Sequence, residues 1–140
     1  MTANGTAIGR DINVLQVGDG VFLNLNAGET VTFIGYKSGG DTYTVSEAAV
    51  AGGSGSAALA QVVDYYTSDG VGGVWTKHTQ AAGSAVVTTA DCVAITIHGA
   101  QLTDGKNYIS CASTSTGTVT AIVSRLKIQR TPANLAALTA

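Results

Sequence analysis

The chain of 140 residues predicts an all-β fold, an antiparallel β-sandwich of roughly eight to ten short strands. Three observations predict it. Gly, Ala and Thr supply 18, 21 and 19 positions while charged residues make up only 11%, which suits packed strands and tight turns better than salt-bridged helices. Apolar residues recur with period two through most of the chain and almost never with the 3.6 period of a helix. Strand-like runs are separated by Gly-, Asp- and Ser-rich turn signals about every 8–12 residues.

Taken in order, Val21, Leu23 and Leu25 alternate with Phe22, Asn24 and Asn26 and predict a strand. Val31-Thr32-Phe33-Ile34 predicts the next, reaching Lys37-Ser38-Gly39-Gly40, whose paired glycines can take the positive φ of a hairpin turn. Thr42-Tyr43-Thr44-Val45 is then expected as its return strand. Between Ser46 and Ala60 the chain is rich in Ala and Gly. Ser46-Glu47-Ala48-Ala49 can form one helical turn before Gly52-Gly53-Ser54-Gly55-Ser56 breaks it, so a mobile surface loop is expected. Gln61 to Thr67 is β-branched and aromatic and turns at Ser68-Asp69-Gly70-Val71-Gly72-Gly73 into Val74-Trp75-Thr76-Lys77-His78. This hairpin is expected to pack Trp75 against Tyr65 or Tyr66 inside the core.

Val86-Val87 continues the strand pattern, and Val93, Ile95 and Ile97 alternate with Cys92, Ala94, Thr96 and His98. Tyr108 to Ala112 follow a turn at Thr103-Asp104-Gly105-Lys106, with the Tyr108 hydroxyl expected to bond backbone across a corner of the sandwich. The last strand, Thr118 to Gln129, sets Ile122, Leu126 and Ile128 on one face and Val123, Arg125 and Lys127 on the other, one face core and one wet. Pro132 cannot donate a ladder hydrogen bond, so the chain must then leave the sheet. The organisation expected is an N-terminal arm (1–10), a sandwich domain (11–130) and a C-terminal tail (131–140). In an isolated monomer both ends would fray; alternatively Ile8, Leu135 and Leu138 dock on a neighbour.

Charge narrows the partners. A net charge of −2 and a pI near 5.4 argue against general nucleic-acid affinity, which needs several phosphates neutralised. No apolar run approaches the ~18 residues of a membrane span. The segment Met1-Thr2-Ala3-Asn4-Gly5-Thr6 has neither a basic leader nor an apolar stretch, so no secretory signal is expected and the cytoplasm is the default compartment. The distribution is uneven: residues 105–140 carry Lys106, Arg125, Lys127 and Arg130 and no acid, whereas 1–104 carry all nine acids. Arg125 and Lys127 either keep one face of a last strand wet or dock on an acidic partner.

Reactive chemistry is sparse. His78 and His98 stand alone on strands, and the metal-ligand spacings of zinc sites are missing. Gly52-Gly53-Ser54-Gly55-Ser56 lacks the Lys-Ser/Thr ending of a phosphate loop. Asp64 and Asp69 lack the spaced oxygens of a calcium loop. Cys92 and Cys111 can fall on neighbouring strands, but without a C-x-x-C spacing they are expected as buried free thiols. No catalytic residue, cofactor site or metal site is expected, and the chain is read as no enzyme. Exposed aromatics would instead mark a carbohydrate-binding module, with Trp75, Tyr36, Tyr43, Tyr65, Tyr66 and Tyr108 available.

Three segments together carry a resemblance: Val63-Asp64-Tyr65-Tyr66-Thr67-Ser68-Asp69-Gly70 leading to Trp75, the strand Lys106-Asn107-Tyr108-Ile109-Ser110, and the ending Ile128-Gln129-Arg130-Thr131-Pro132-Ala133-Asn134-Leu135. Over about residues 60–135 the chain resembles the small β-sandwich virion proteins of tailed bacteriophages, particularly head decoration (capsid cement) proteins. The insertion of Val71-Gly72-Gly73-Val74 departs from the shorter turn of that family. The resemblance implies a non-enzymatic structural virion protein, assembled in the host cytoplasm, that binds the outer surface of a capsid and stabilises it. Its implied partners are the major capsid protein and itself, as a homo-oligomer with a trimer favoured; nucleic acid and membrane are not among them. Candidate capsid or subunit contacts are Ile8, Arg10, Arg125, Lys127, Arg130, Leu135 and Leu138. The alternatives are a tail or tail-tube component and a carbohydrate-binding sandwich module.

Overall fold

The computed structural model describes residues 8–60, 62, 64–70, 73–80 and 85–140. Residues 1–7 of the expected arm, Gln61 and Val63 of the expected strand, and Val71 and Gly72 of the expected turn lie outside the described residues. The described residues contain eleven strands: β1 (Ile12–Val17), β2 (Leu23–Asn24), β3 (Thr30–Tyr36), β4 (Asp41–Ala48), β5 (Ala57–Ala58), β6 (Asp64–Ser68), β7 (Thr76–Thr79), β8 (Ala85–Thr88), β9 (Cys92–His98), β10 (Tyr108–Ser113) and β11 (Thr118–Ser124). They form an antiparallel sandwich. One sheet has six strands in the order β1-β11-β3-β9-β6-β7; the other runs β2-β10-β4-β5, with β8 pairing the same edge of β4 as β5.

Alternation places the core. In the six-stranded sheet Val31 and Phe33, Val93, Ile95 and Ile97, and Val119, Ala121 and Val123 are buried; the facing sheet contributes Leu23, Ile109, Cys111, Tyr43 and Val45. Gly35 is glycine for a close approach: a Cβ there would stand 2.6 Å from the Tyr43 ring, which crosses from the opposite sheet.

The structure departs from the sequence expectations at six places. The Lys37–Gly40 turn has the expected positive φ at Gly39 and Gly40, 83° and 87°. It joins β3 to β4 across the two sheets, however, rather than closing a hairpin. Turn chemistry fixes the bend, while Tyr43 packing over Gly35 fixes which sheet the chain enters.

The expected mobile loop at 46–60 begins as strand. Tertiary pairing overrides the helical propensity of Ser46–Ala49: Ser46 pairs Ala58, Glu47 pairs Ala57, and Leu59 is buried with its N–H donated to the Val45 carbonyl at 3.0 Å. Near the start, the run Val21–Asn26 yields only the short β2 before a 3-10 turn at Leu25–Ala27, begun by the Asn24 side chain accepting from the Asn26 N–H at 2.9 Å. Phe22 and Leu23 are both buried, so the alternation there is broken. Strand β1, which pairs β11, had no clear sequence signal because as an edge strand it leaves Val14 39% exposed.

Strand β11 ends at Ser124, five residues before the expected end, because Arg125 takes φ 55°. Its core face is Val119, Ala121 and Val123; Ile122 faces outward half-buried, Leu126 is half-buried beyond the strand and Ile128 is 63% exposed. A face assigned from the wrong parity reverses every side chain. Trp75 is likewise outside the core, 50% exposed and just before β7. Tyr65 stacks instead on His78, with ring centroids 5.1 Å apart and planes 14° apart. The two cysteines sit in different sheets, Cys92 on β9 and Cys111 on β10, and are free. Burial pushes the Cys111 thiol up to about 12, so it stays protonated at neutral pH.

Candidate assembly interface at the tail end

After Ser124 the chain runs without strand through a 3-10 turn at Pro132–Asn134 and folds back on its own sandwich. Leu138 is only 5% exposed and belongs to the core. Its carbonyl accepts from the Asn24 N–H at 2.6 Å, and the Ala140 carbonyl accepts from Asn24 Nδ2 at 3.0 Å and the Tyr108 hydroxyl at 3.2 Å. The expected backbone partner of Tyr108 is therefore supplied by the tail. Leu138 does not offer itself to a neighbour: burial against this chain's own core is available, so the tail is neither frayed nor free.

The remaining candidates gather round that tail. Ile8, 39% exposed, lines a cavity of about 270 Å³ with Val14, Pro132 and Leu135. Lys127, Arg130 and Leu135 line a second, about 400 Å³, with Leu126 and Ile128. Arg125 and Lys127 line a third, about 420 Å³, with Glu29 and His98. Arg10 is held close through its neighbour, since the Arg130 N–H donates to the Gly9 carbonyl at 2.9 Å and a Cβ on Gly9 would collide with the Arg130 backbone. Ile8, Lys127, Arg130 and Leu135 thus line cavities that Leu138 also lines, while Arg125 borders a separate one and Arg10 is tied in only through Gly9.

Cations outnumber acids here, although Glu29 lines one cavity and exposed Asp11 follows Arg10 in the chain. Arg125 reaches Glu29 at 3.2 Å, an exposed pair. Arg10, Lys127 and Arg130 are exposed and make no ion pair among the described residues. Beside them stand the exposed apolar residues Ile8, Val14 and Ile128. This end can therefore bury apolar area and meet negative charge at once. Residues the sequence did not single out for this end are Asn24, which holds the tail together with Tyr108, and Val14 and Ile128 as exposed neighbours; the Asn24–Ala140 bond spans 116 residues, so no local pattern signals it.

At the other end of β10 stands a closed cluster. Asp41 accepts from the Thr42 N–H at 2.7 Å, the Thr114 hydroxyl at 2.9 Å, the Gly117 N–H at 3.3 Å and the Ser113 hydroxyl. Desolvation opposes its ionisation, but these bonds outweigh it and lower the carboxyl to about 2. Nearby, burial and the Asp41 charge push the Tyr43 hydroxyl up to about 12. Neither group exchanges protons near neutral pH, so the cluster is suited to fixing turns rather than to acid–base chemistry.

His78 and His98 stay apart from any such cluster. Thr67 Oγ1 lies 2.8 Å from His78 Nε2, and His98 is exposed at the end of β9. Among the described residues no three His, Cys, Asp or Glu side chains are grouped to hold a metal, and no helix is long and apolar enough to cross a membrane. Comparisons with family models, curated proteins and solved structures return no match to this chain.

Proposed function

We propose that the protein is a non-enzymatic structural virion protein that binds and stabilises the outer surface of a tailed-phage capsid, acting as a symmetric oligomer. The observation that carries this reading is the convergence of Arg10, Lys127 and Arg130, without ion-pair partners among the described residues, with exposed Ile8 and Ile128 around the tail. A lattice protein needs no single large hot spot, because a small oligomer that engages several shell subunits multiplies weak contacts through avidity. A rigid sandwich suits that task, since little backbone entropy remains to be lost on docking; ordering a flexible arm would cost about 1–2 kcal/mol per residue. The sequence resemblance to head decoration proteins supports the shell as the partner.

The test is rebinding. Purified protein added to tailed-phage heads stripped of their decoration should co-sediment to saturation and appear by electron microscopy as symmetric protrusions on the outer surface. Stacked rings or tubes formed by the protein alone would instead assign it to the tail, and no binding to any stripped head would overturn the proposal.

A further inference from the structure

The outward face of the six-stranded sheet holds a second feature, which shares His98 and Ala100 with one of the cavities at the tail end and no residue with the other two. Tyr66 on β6 pairs across with Ala94 of β9 and Lys77 of β7, and it is 42% exposed rather than packed. Where this face meets the 3-10 turn Gly99–Gln101 there is a hollow of about 540 Å³, lined by Asp64, Tyr66, Thr96, His98, Ala100 and Gln101. That volume lies within the ~300–1,000 Å³ typical of small-molecule sites. The lining combines one large aromatic surface with a carboxylate, an amide, an imidazole and a hydroxyl; Gln101 Oε1 already accepts from the His98 N–H at 2.8 Å and the Thr96 hydroxyl lies 3.0 Å from that of Thr32, so Gln101 offers a ligand its Nε2 as donor.

These groups match a sugar ring. A pyranose has a C–H face that stacks on an aromatic ring and an equatorial edge of hydroxyls that both donate and accept. The charge balance excludes the other classes. Asp64 is already engaged by Lys77 Nζ at 3.6 Å and by the Thr79 hydroxyl at 3.0 Å, so the local carboxylate and ammonium offset each other. A phosphate or nucleic acid would need uncompensated cations, and a purely apolar ligand would strand the polar rim.

We propose that this hollow binds a neutral hexopyranose glycan, with Tyr66 as the stacking platform and Asp64, His98 and Gln101 as hydroxyl partners. The inference goes beyond the shell-binding reading and stands without it, since the hollow is formed within one chain. It is tested by isothermal titration calorimetry of the full chain with neutral di- to tetrasaccharides, read alongside amide chemical-shift changes. The expected result is saturable binding to at least one neutral oligosaccharide, with shifts centred on Tyr66, Thr96 and Gln101. Tyr66→Ala should weaken it at least tenfold, whereas Arg130→Glu at the tail end should leave it unchanged. Silence across the panel, a preference for acidic sugars, or equal binding by Tyr66→Ala and wild type would each overturn the assignment, whatever the result with stripped heads.

Discussion

The two ends of β10 are built on opposite plans. At its Ser113 end, Asp41 gathers two turns through four hydrogen-bond donors, and the Gly117 position has no room for a side chain: a Cβ there would stand 2.8 Å from both Asp41 Oδ2 and Ser113 Oγ. At its Tyr108 end the tail is held by one buried leucine and three bonds from Asn24 and Tyr108, with cavities of about 270 and 400 Å³ beside it. The strand's six residues separate an end closed by the Asp41 bonds, where the buried Tyr43 hydroxyl nonetheless has no hydrogen-bond partner among the described residues, from one that keeps space, apolar surface and unpaired cations. Polar groups that are mutually satisfied fix a fold, and those left over are available to a partner.

This contrast can be broken or sharpened by mutation. Both ends hang on the same interior, so Phe33→Ala should have the largest effect, about 3–5 kcal/mol of lost stability in urea unfolding. At the closed end Asp41→Ala leaves several donors unanswered and should cost about 1–3 kcal/mol. Its pH signature follows from the direction of the shift. The folded carboxyl titrates at about 2 against 3.8 normally, so its contribution is full above pH 4 and is lost as the pH falls towards 2. Thermal melts of Asp41→Asn should therefore lack the part of the wild-type acid destabilisation that arises in that window.

At the open end Leu138→Ala should cost below about 2 kcal/mol, less than the ~2–5 of a core Leu→Ala change, because the tail can release instead of leaving a cavity. Hydrogen exchange checks the mechanism: protection should fall at Asn24, whose N–H bonds the Leu138 carbonyl, and hold at Gly117. The smallest effect belongs to Glu29→Gln. Its partner Arg125 is exposed, and such pairs contribute about 0–1 kcal/mol, further reduced by salt.

Sequence pattern reached the sandwich and several of its strands because burial on one face imprints period two, as in Val93-Ala94-Ile95-Thr96-Ile97. It reached less where a second constraint intervened. Ser46–Ala48 reads as helix by composition, and only its pairing with Ala57–Ala58 makes it strand. The parity of β11 was hidden because Ile122 is the largest residue of its run yet faces outward, while the smaller Ala121 fits between Phe33 and Leu15 on the paired strands β3 and β1. Trp75 misled in the same way, since bulk suggests burial while position before an edge strand permits exposure. At the tail end, the surplus of cations was legible from charge counts alone. The Asn24 half of the tail's cradle was not, because its partner lies over a hundred residues away; for Tyr108 a backbone bond was legible but not that the tail supplies it.

The most direct test of the account is the salt dependence of binding to stripped phage heads, compared between wild type and the triple variant Arg10→Glu, Lys127→Glu, Arg130→Glu. All three residues are exposed, so the variant should fold and melt as the wild type does. The account predicts saturable wild-type binding that weakens with salt, and loss of at least tenfold in affinity in the variant. Undiminished binding by a folded variant would contradict it.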